Sequence, residues 1–179
     1  AARVFCTPLP SSRSRALAAP TFGGHEDPIA VDGHNVTAYV WGDPRRQPYV
    51  LFAHGWSSHG TRIAAWLPRL RQAGYAVVAF DQPAHGRSPG ELATLPWFTR
   101  HLLAVGAHFG PAAVVIGHSL GGAATANALT QGLQAERAVL IAPAADPIAA
   151  VERFADLLWF GRNLCQRMFA FFESRIGFT

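Results

Sequence analysis

The chain has 179 residues, of which 50% are hydrophobic and 15% are charged, and its formal net charge is +4. This composition excludes a disordered or fibrous chain, and no apolar run approaches the ~18–20 residues that a membrane-spanning helix needs. Every basic side chain other than histidine is arginine, and three of the arginines precede the first acidic residue, Glu26. The rest of the chain is close to neutral, so no basic face indicates nucleic-acid binding. The two cysteines, Cys6 and Cys165, have no spacing typical of a metal site.

Residues 1–28 are predicted to form an N-terminal arm that packs on a folded domain. They are rich in proline and contain the pair Gly23-Gly24, and these residue types interrupt both helices and strands. The segment is rich in arginine and poor in acids, as transit peptides are, but it lacks the apolar core of a signal peptide. We therefore favour the arm over a targeting segment.

Residues 29–146 alternate between short apolar runs and helical stretches, which predicts an α/β fold with a mostly parallel sheet flanked by helices. The strands are predicted at Val36–Trp41, Tyr49–Ala53, Tyr75–Phe80, Ala113–Ile116 and Ala138–Ile141. The helices are predicted near Arg62–Ala73, Leu95–Phe109 and Leu120–Leu133. The last four strands are continuous apolar runs, which is typical of strands buried on both faces. Residues 147–179 are crowded with aromatic side chains and predict one or two helices that begin a separate subdomain.

The strongest chemical motif is Gly117-His118-Ser119-Leu120-Gly121, which follows an apolar strand and begins a helical run. A G-x-S-x-G sequence between a strand and a helix is the context of a nucleophile elbow, in which the serine lies on a strained turn. The flanking glycines allow close backbone packing, and the helix directs its positive end toward the reacting atoms. The motif predicts Ser119 as a catalytic nucleophile.

A second motif, His54-Gly55-Trp56, follows the strand Tyr49–Ala53. A tetrahedral intermediate needs two N–H donors for its oxyanion, one from the residue after the nucleophile and one from the loop after an earlier strand. These donors are predicted to be the backbone N–H groups of Leu120 and Trp56. His54 itself is interpreted as a structural residue that braces the loop.

A third motif, Asp81-Gln82-Pro83-Ala84-His85-Gly86-Arg87-Ser88, follows the strand Tyr75–Phe80. The three motifs in this order resemble the α/β-hydrolase family, in which the third loop reads D-x-x-G-x-G-x-S, so that Ala84 replaces a glycine here. The resemblance covers residues 30–146 and implies that residues 29–146 are the N-terminal part of a hydrolase core. It also implies that residues 147–179 begin a helical cap and that His85 and Ser88 are structural.

The family triad runs Ser, Asp or Glu, and then His in chain order, and all eight histidines of this chain lie at or before His118. The resemblance therefore implies that the catalytic histidine is not in this chain. Asp146 is a candidate acid, because some family members place their acid after this strand. An alternative interpretation is favoured, in which Asp146 and Pro147 are the N-cap and first residue of a helix.

These residues predict a serine hydrolase that acts on carboxylic esters through an acyl-enzyme on Ser119, with no cofactor and no metal. Thioesterase, lactonase, cofactor-free haloperoxidase and acyltransferase chemistries stay open. The alternative is a non-catalytic, truncated hydrolase core or one piece of a two-chain assembly. We expect the sequence to be truncated at both ends and inactive alone. We also expect it to associate with its missing C-terminal part or with a second copy, in the cytoplasm of a bacterium.

Overall fold

The computed structural model describes residues 2–144, together with Asp146, Glu152, Arg167 and Ala170. These residues form an α/β fold with one mostly parallel sheet and helices on both faces. In chain order the strands are β1 (His25–Val31), β2 (His34–Trp41), β3 (Tyr49–Ala53), β4 (Ala76–Phe80), β5 (Ala112–His118) and β6 (Ala135–Ile141). The helices are α1 (Ala2–Phe5), α2 (Pro10–Ala18), α3 (Leu67–Gln72), α4 (Leu95–Phe109) and α5 (Leu120–Thr130), with a 3₁₀ helix at Gly60–Trp66. Within the described ranges, no helix is long and apolar enough to cross a membrane.

The described sheet has the order β1-β2-β4-β3-β5-β6. The pairs β4–β3, β3–β5 and β5–β6 are parallel, whereas β1–β2 and β2–β4 are antiparallel. Strands β3 and β4 are buried along their whole length. Leu51 and Val78 pack in the apolar cluster that includes α4, while Val50 and Val77 pack in the cluster under the 3₁₀ helix. The central strands are therefore covered on both faces, as their continuous apolar sequence predicts.

Several boundaries agree with the sequence. Strand β3 and helix α4 begin and end where they were predicted. The helix predicted at Arg62–Ala73 is instead a 3₁₀ helix followed by α3. Pro68 explains the difference, because proline lacks an N–H and clashes with the preceding turn inside an α-helix but is tolerated in its first turn, where it stands in α3.

The N-terminal segment is more regular than predicted. It contains α1 and α2, and β1 begins at His25, inside the predicted arm. Strand β1 pairs with β2 across Asp32-Gly33, whose φ angles of 51° and 78° suit a two-residue hairpin turn. Pro8, Pro20 and Gly23-Gly24 lie between these elements and interrupt regular structure, as expected, whereas Pro28 lies within β1, an edge strand where proline is tolerated.

The other edge of the described sheet is β6. It pairs with β5 alone among the described strands, and Val139 and Leu140 are 44% and 42% exposed. The prediction that this strand is buried on both faces is wrong within the described structure. The predicted cap, residues 147–179, lies outside the described residues except for Glu152, Arg167 and Ala170.

Candidate active site

Ser119 stands at the junction between β5 and α5 with φ 53° and ψ −122°. A positive φ is strained for a residue with a side chain, so the surrounding structure must hold it. The Ser119 N–H donates to the carbonyl of Ile141 at 2.9 Å, and its own carbonyl accepts from the N–H groups of Gly122 and Ala144 at 2.9 and 3.1 Å. These bonds join the strained turn to its own helix and to the end of β6.

The glycines on either side of Ser119 are required by close packing. A Cβ atom on Gly117 would lie 2.5 Å from Oγ1 of Thr125, and one on Gly121 would lie 2.3 Å from the carbonyl oxygen of Ala53. Any side chain at either position would therefore separate β5 from α5, or α5 from β3. The G-x-S-x-G spacing follows from this packing.

The loop of residues 54–57 carries the predicted Trp56 donor, is called the oxyanion loop after that prediction, and runs directly beside the serine. A Cβ atom on Gly55 would lie 2.8 Å from the Cβ of Ser119. The side chains of Trp56 and Leu120 both pack on one cluster, which is formed by Ala84, Ala93, Phe98 and Ala124. Within the described part of the chain, neither the Trp56 N–H nor the Leu120 N–H has a hydrogen-bond acceptor. Two main-chain donors that were predicted from separate motifs thus stay available near one serine.

His54 is fully buried below this loop, and both of its ring nitrogens are occupied. Nε2 accepts from the N–H of Gln82 at 3.0 Å, so Nδ1 carries the proton and donates to the carbonyl of Gly55 at 2.7 Å. Burial lowers the pKa of His54 to about 3, and the ring is therefore neutral at physiological pH. These contacts agree with the interpretation of His54 as a brace for the loop.

His85 has the same arrangement one loop away. Its Nε2 accepts from the N–H of Ser57 at 3.0 Å, and its Nδ1 donates to the carbonyl of Pro83 at 2.8 Å. Burial, followed by the effect of nearby His54, lowers the pKa of His85 to about 3. The ring lies edge-on to the Trp56 ring, with 5.3 Å between their centroids. His85 therefore supports the oxyanion loop, and Nε2, the only ring nitrogen that could accept a proton from a substrate, is engaged.

Asp81 anchors the loop that carries His85. Its buried carboxylate accepts from the Tyr39 hydroxyl at 2.7 Å and from the N–H groups of Gly60 and Arg87, each at 2.8 Å. A Cβ atom on Gly86 would lie 2.1 Å from this carboxylate, which explains the glycine at φ 50°. Ser88 completes the loop, because its hydroxyl donates to the Asp81 carbonyl at 2.5 Å and accepts from the Thr37 N–H at 3.0 Å.

Asp146, the candidate acid, is exposed and lies beyond the end of β6. Ala144, two residues earlier, is hydrogen-bonded to Ser119 through its N–H. The main chain before Asp146 therefore passes close to the predicted nucleophile. The role of Asp146 as the catalytic acid stays a prediction. Its alternative role as the N-cap of a helix depends on Pro147, which is outside the described residues.

Two surface cavities lie elsewhere. One, of about 280 Å³, lies between the N-terminal segment and residues 84–91, and the other, of about 480 Å³, lies between the β1–β2 turn and the start of α4. Ser119 lines neither cavity. In the part of the chain that the structure describes, no group of three or more His, Cys, Asp or Glu side chains could hold a metal ion.

The structure brings one segment to the site that the sequence did not predict there. The N-terminal segment reaches the oxyanion loop, because the N–H of Leu9 donates to the hydroxyl of Ser57 at 3.0 Å. The two residues are far apart in the chain, and neither belongs to a recognisable motif. No sequence signal could have paired them.

Residues 50–177, more than half of the chain, match the model of the alpha/beta hydrolase family. Together with the sheet order and the serine at the strand–helix junction, this match shows that the chain belongs to the alpha/beta hydrolase family.

Individual relatives differ in their chemistry. A non-heme haloperoxidase from Rhodococcus erythropolis is 36% identical over 96 residues, which are 52% of this chain and 34% of the relative. Epoxide hydrolase A from Mycobacterium thermoresistibile is 28% identical with a TM-score of 0.54, over 62% of this chain and 37% of that structure. An esterase from Exiguobacterium antarcticum is 20% identical with a TM-score of 0.60, over 68% and 46% respectively, and shows the fold alone. The chain spans less than half of each of these proteins.

Proposed function

We propose that the protein is a serine hydrolase that cleaves carboxylic esters through an acyl-enzyme on Ser119. The observation that carries this proposal is the strained serine at φ 53°, held at the start of α5 with Gly55 against it. The geometry supports attack by the Ser119 hydroxyl on the ester carbonyl. The developing oxyanion would accept hydrogen bonds from the N–H groups of Trp56 and Leu120. The alcohol would leave with the serine proton to give the acyl-enzyme, and water would then release the acid and regenerate the Ser119 hydroxyl.

The general base in this proposal is a histidine outside the 179 residues. Within them, His54 and His85 use both ring nitrogens in structural bonds, and no histidine follows His118. An isolated serine hydroxyl is a weak nucleophile, and loss of one triad member costs on the order of 10⁴–10⁶ in rate. We therefore expect the 179-residue chain alone to hydrolyse p-nitrophenyl acetate no faster than its Ser119→Ala variant. Hydrolysis that depends on Ser119 would show that a base is present within the chain.

The proposal is tested by labelling the full-length product of the gene with a fluorophosphonate and locating the adduct by mass spectrometry. We expect a single adduct on Ser119 and none in Ser119→Ala. Ser58→Ala keeps the nucleophile and serves as the control for nonspecific labelling of serines near the site. Labelling that persists in Ser119→Ala would contradict the assignment. Absence of any adduct in the unmodified protein would favour the non-catalytic alternative.

A second candidate function is halide oxidation, which the 36% identity to a non-heme haloperoxidase favours. An acyl-enzyme attacked by hydrogen peroxide instead of water would release a peracid and free serine. The peracid would then oxidise bromide to hypobromous acid and leave the carboxylic acid. Bromination of an organic acceptor in the presence of acetate, peroxide and bromide would test it, with Ser119→Ala as control. Bromination at the same rate in that variant would exclude an acyl-enzyme on Ser119 as its source.

A further inference from the structure

We infer that the N-terminal segment of residues 2–18 is part of the apparatus that holds the oxyanion loop, and that Ser57 is the positioning residue through which it acts. This inference rests on the proposed function, because it concerns the loop that supplies the Trp56 donor. Ser57 is not predicted to touch substrate. Its role is to fix the conformation of the residue that does.

Ser57 is held from two sides. Its N–H donates to Nε2 of His85 at 3.0 Å, and its hydroxyl accepts from the N–H of Leu9 at 3.0 Å. Its φ of 51° lies in the left-handed region, which a residue with a side chain adopts only when its surroundings stabilise it. The two hydrogen bonds supply that stabilisation, one from the hydrolase core and one from the N-terminal segment.

Restraint of Ser57 fixes the orientation of the planar peptide that joins it to Trp56, and therefore the carbonyl side of the Trp56 backbone. The Trp56 ring packs against the rings of both His85 and Phe98, with centroid distances of 5.3 and 6.3 Å. With its ring packed and the following peptide fixed, the Trp56 backbone has little freedom to reorient the N–H that the proposed function assigns to the oxyanion. Loss of the hydrogen bond from the Leu9 N–H to the Ser57 hydroxyl would allow the Trp56 N–H a wider range of orientations.

The N-terminal segment is docked independently of this bond. The Ala93 N–H donates to the Cys6 carbonyl at 2.8 Å, and the Arg13 guanidinium donates to the carbonyls of Ser88 and Gly90 at 2.9 and 3.2 Å. Cys6 is buried, and burial raises its pKa to about 11. A variant that lacks only the Leu9 donor should therefore keep the segment in place.

Proline at position 9 provides that variant. Leu9 has φ −61° and ψ 127°, which proline adopts without strain, and proline has no N–H. Leu9→Ala is the matched control, since it removes the same exposed side chain and keeps the donor. In hydrogen exchange on the full-length gene product, we expect the Ser57 amide to exchange about 3- to 10-fold faster in Leu9→Pro than in Leu9→Ala. Amides of β3 should be unchanged, and equal exchange at Ser57 would overturn the inference.

Kinetics supply the second measurement. Leu9→Pro and Ser57→Gly should each lower kcat for an ester substrate about 3- to 10-fold with KM within about twofold, because both remove one hydrogen bond that orients the Trp56 donor. Glycine keeps the left-handed conformation, so this variant isolates the loss of the hydroxyl. The double variant should be no slower than either single one. Additive losses, or a change confined to KM, would contradict the inference.

Two further results complete the test: recovery of activity by a conservative variant, and an exchange measurement that does not depend on the proposed function. Ser57→Asn restores a side-chain acceptor and tolerates a positive φ, so it should recover more activity than Ser57→Gly. Failure of the unmodified protein to react with fluorophosphonate would refute the proposed function. The exchange measurement would still decide whether Leu9 holds Ser57.

Discussion

Gly55 and Ser119 lie so close together that a methyl group on Gly55 would be 2.8 Å from the Cβ of Ser119. Carbon atoms in contact are normally ~3.5–4.0 Å apart, and the two elements must separate if Gly55 gains a side chain. The glycine thereby links the position of the oxyanion loop to that of the predicted nucleophile.

We expect Gly55→Ala to slow fluorophosphonate labelling of Ser119 by at least about tenfold, because a displacement of the order of 1 Å is enough to misalign donors and nucleophile. Gly132→Ala is the control. Gly132 has φ 99° and open space around it, so alanine there should cost about 1 kcal/mol of stability and leave labelling unchanged. Unaltered labelling in Gly55→Ala would show that the two elements separate without consequence.

Asp81→Asn should lower the free energy of unfolding by about 2–4 kcal/mol, as measured by urea denaturation. The carboxylate accepts from Tyr39, Gly60 and Arg87, and an amide would place a donor against at least one of these donors. Tyr39→Phe removes one donor and keeps the carboxylate, so its effect should be smaller, about 1–2 kcal/mol. A loss for Asp81→Asn no greater than that for Tyr39→Phe would contradict the role of Asp81 as an anchor.

Stability should fall as the solution is acidified below the ordinary pKa of histidine, about 6.5. His54 and His85 have pKa values of about 3 in the folded chain, so the unfolded chain binds more protons between pH 3 and 6.5. Burial also lowers the pKa values of His59 and His101. The stabilisation from these neutral rings is fully present above pH 6.5 and is lost toward pH 3.

The contribution of His85 to this pH dependence is measured by urea denaturation of the unmodified chain and of His85→Gln at pH 7 and pH 5. A group whose pKa falls from 6.5 to 3 contributes about 2 kcal/mol to the difference between these two pH values. We therefore expect the free energy of unfolding to fall by about 2 kcal/mol less in His85→Gln than in the unmodified chain when the pH is lowered from 7 to 5. An identical pH dependence would mean that His85 is not held neutral in the folded state.

The 179-residue chain should associate with itself in solution. Strand β6 is the edge of the described sheet, Val139 and Leu140 are 44% and 42% exposed, and unpaired apolar edges template further strand pairing. Light scattering should report species larger than one chain, and Val139→Lys should reduce them. A monodisperse monomer with strong amide protection across residues 138–141 would refute this prediction.

The local parts of the fold were accessible from the sequence. Strand β3 is an uninterrupted apolar run, and α4 has a capping Thr94 and a proline in its first turn before its apolar positions recur at helical spacing. The turn at Ser119 was equally predictable, because the glycines at positions 117 and 121 are dictated by contacts within one strand–helix unit and its neighbouring strand. For β3 and α4 the determining residues lie close together along the chain. The turn at Ser119 is predictable because its motif is short, although Gly121 packs on the distant Ala53.

Only the tertiary structure decided which distant residues meet. Strand β1 is polar at its start and contains Pro28, so it acquires strand conformation through its pairing with β2 rather than through its own composition. The tautomers of His54 and His85 are set by main-chain groups of other loops. The bond between Leu9 and Ser57 joins residues 48 positions apart, which come together only once the N-terminal segment docks on the core. Composition and periodicity record the preferences of each segment, whereas these contacts depend on how the segments pack in three dimensions.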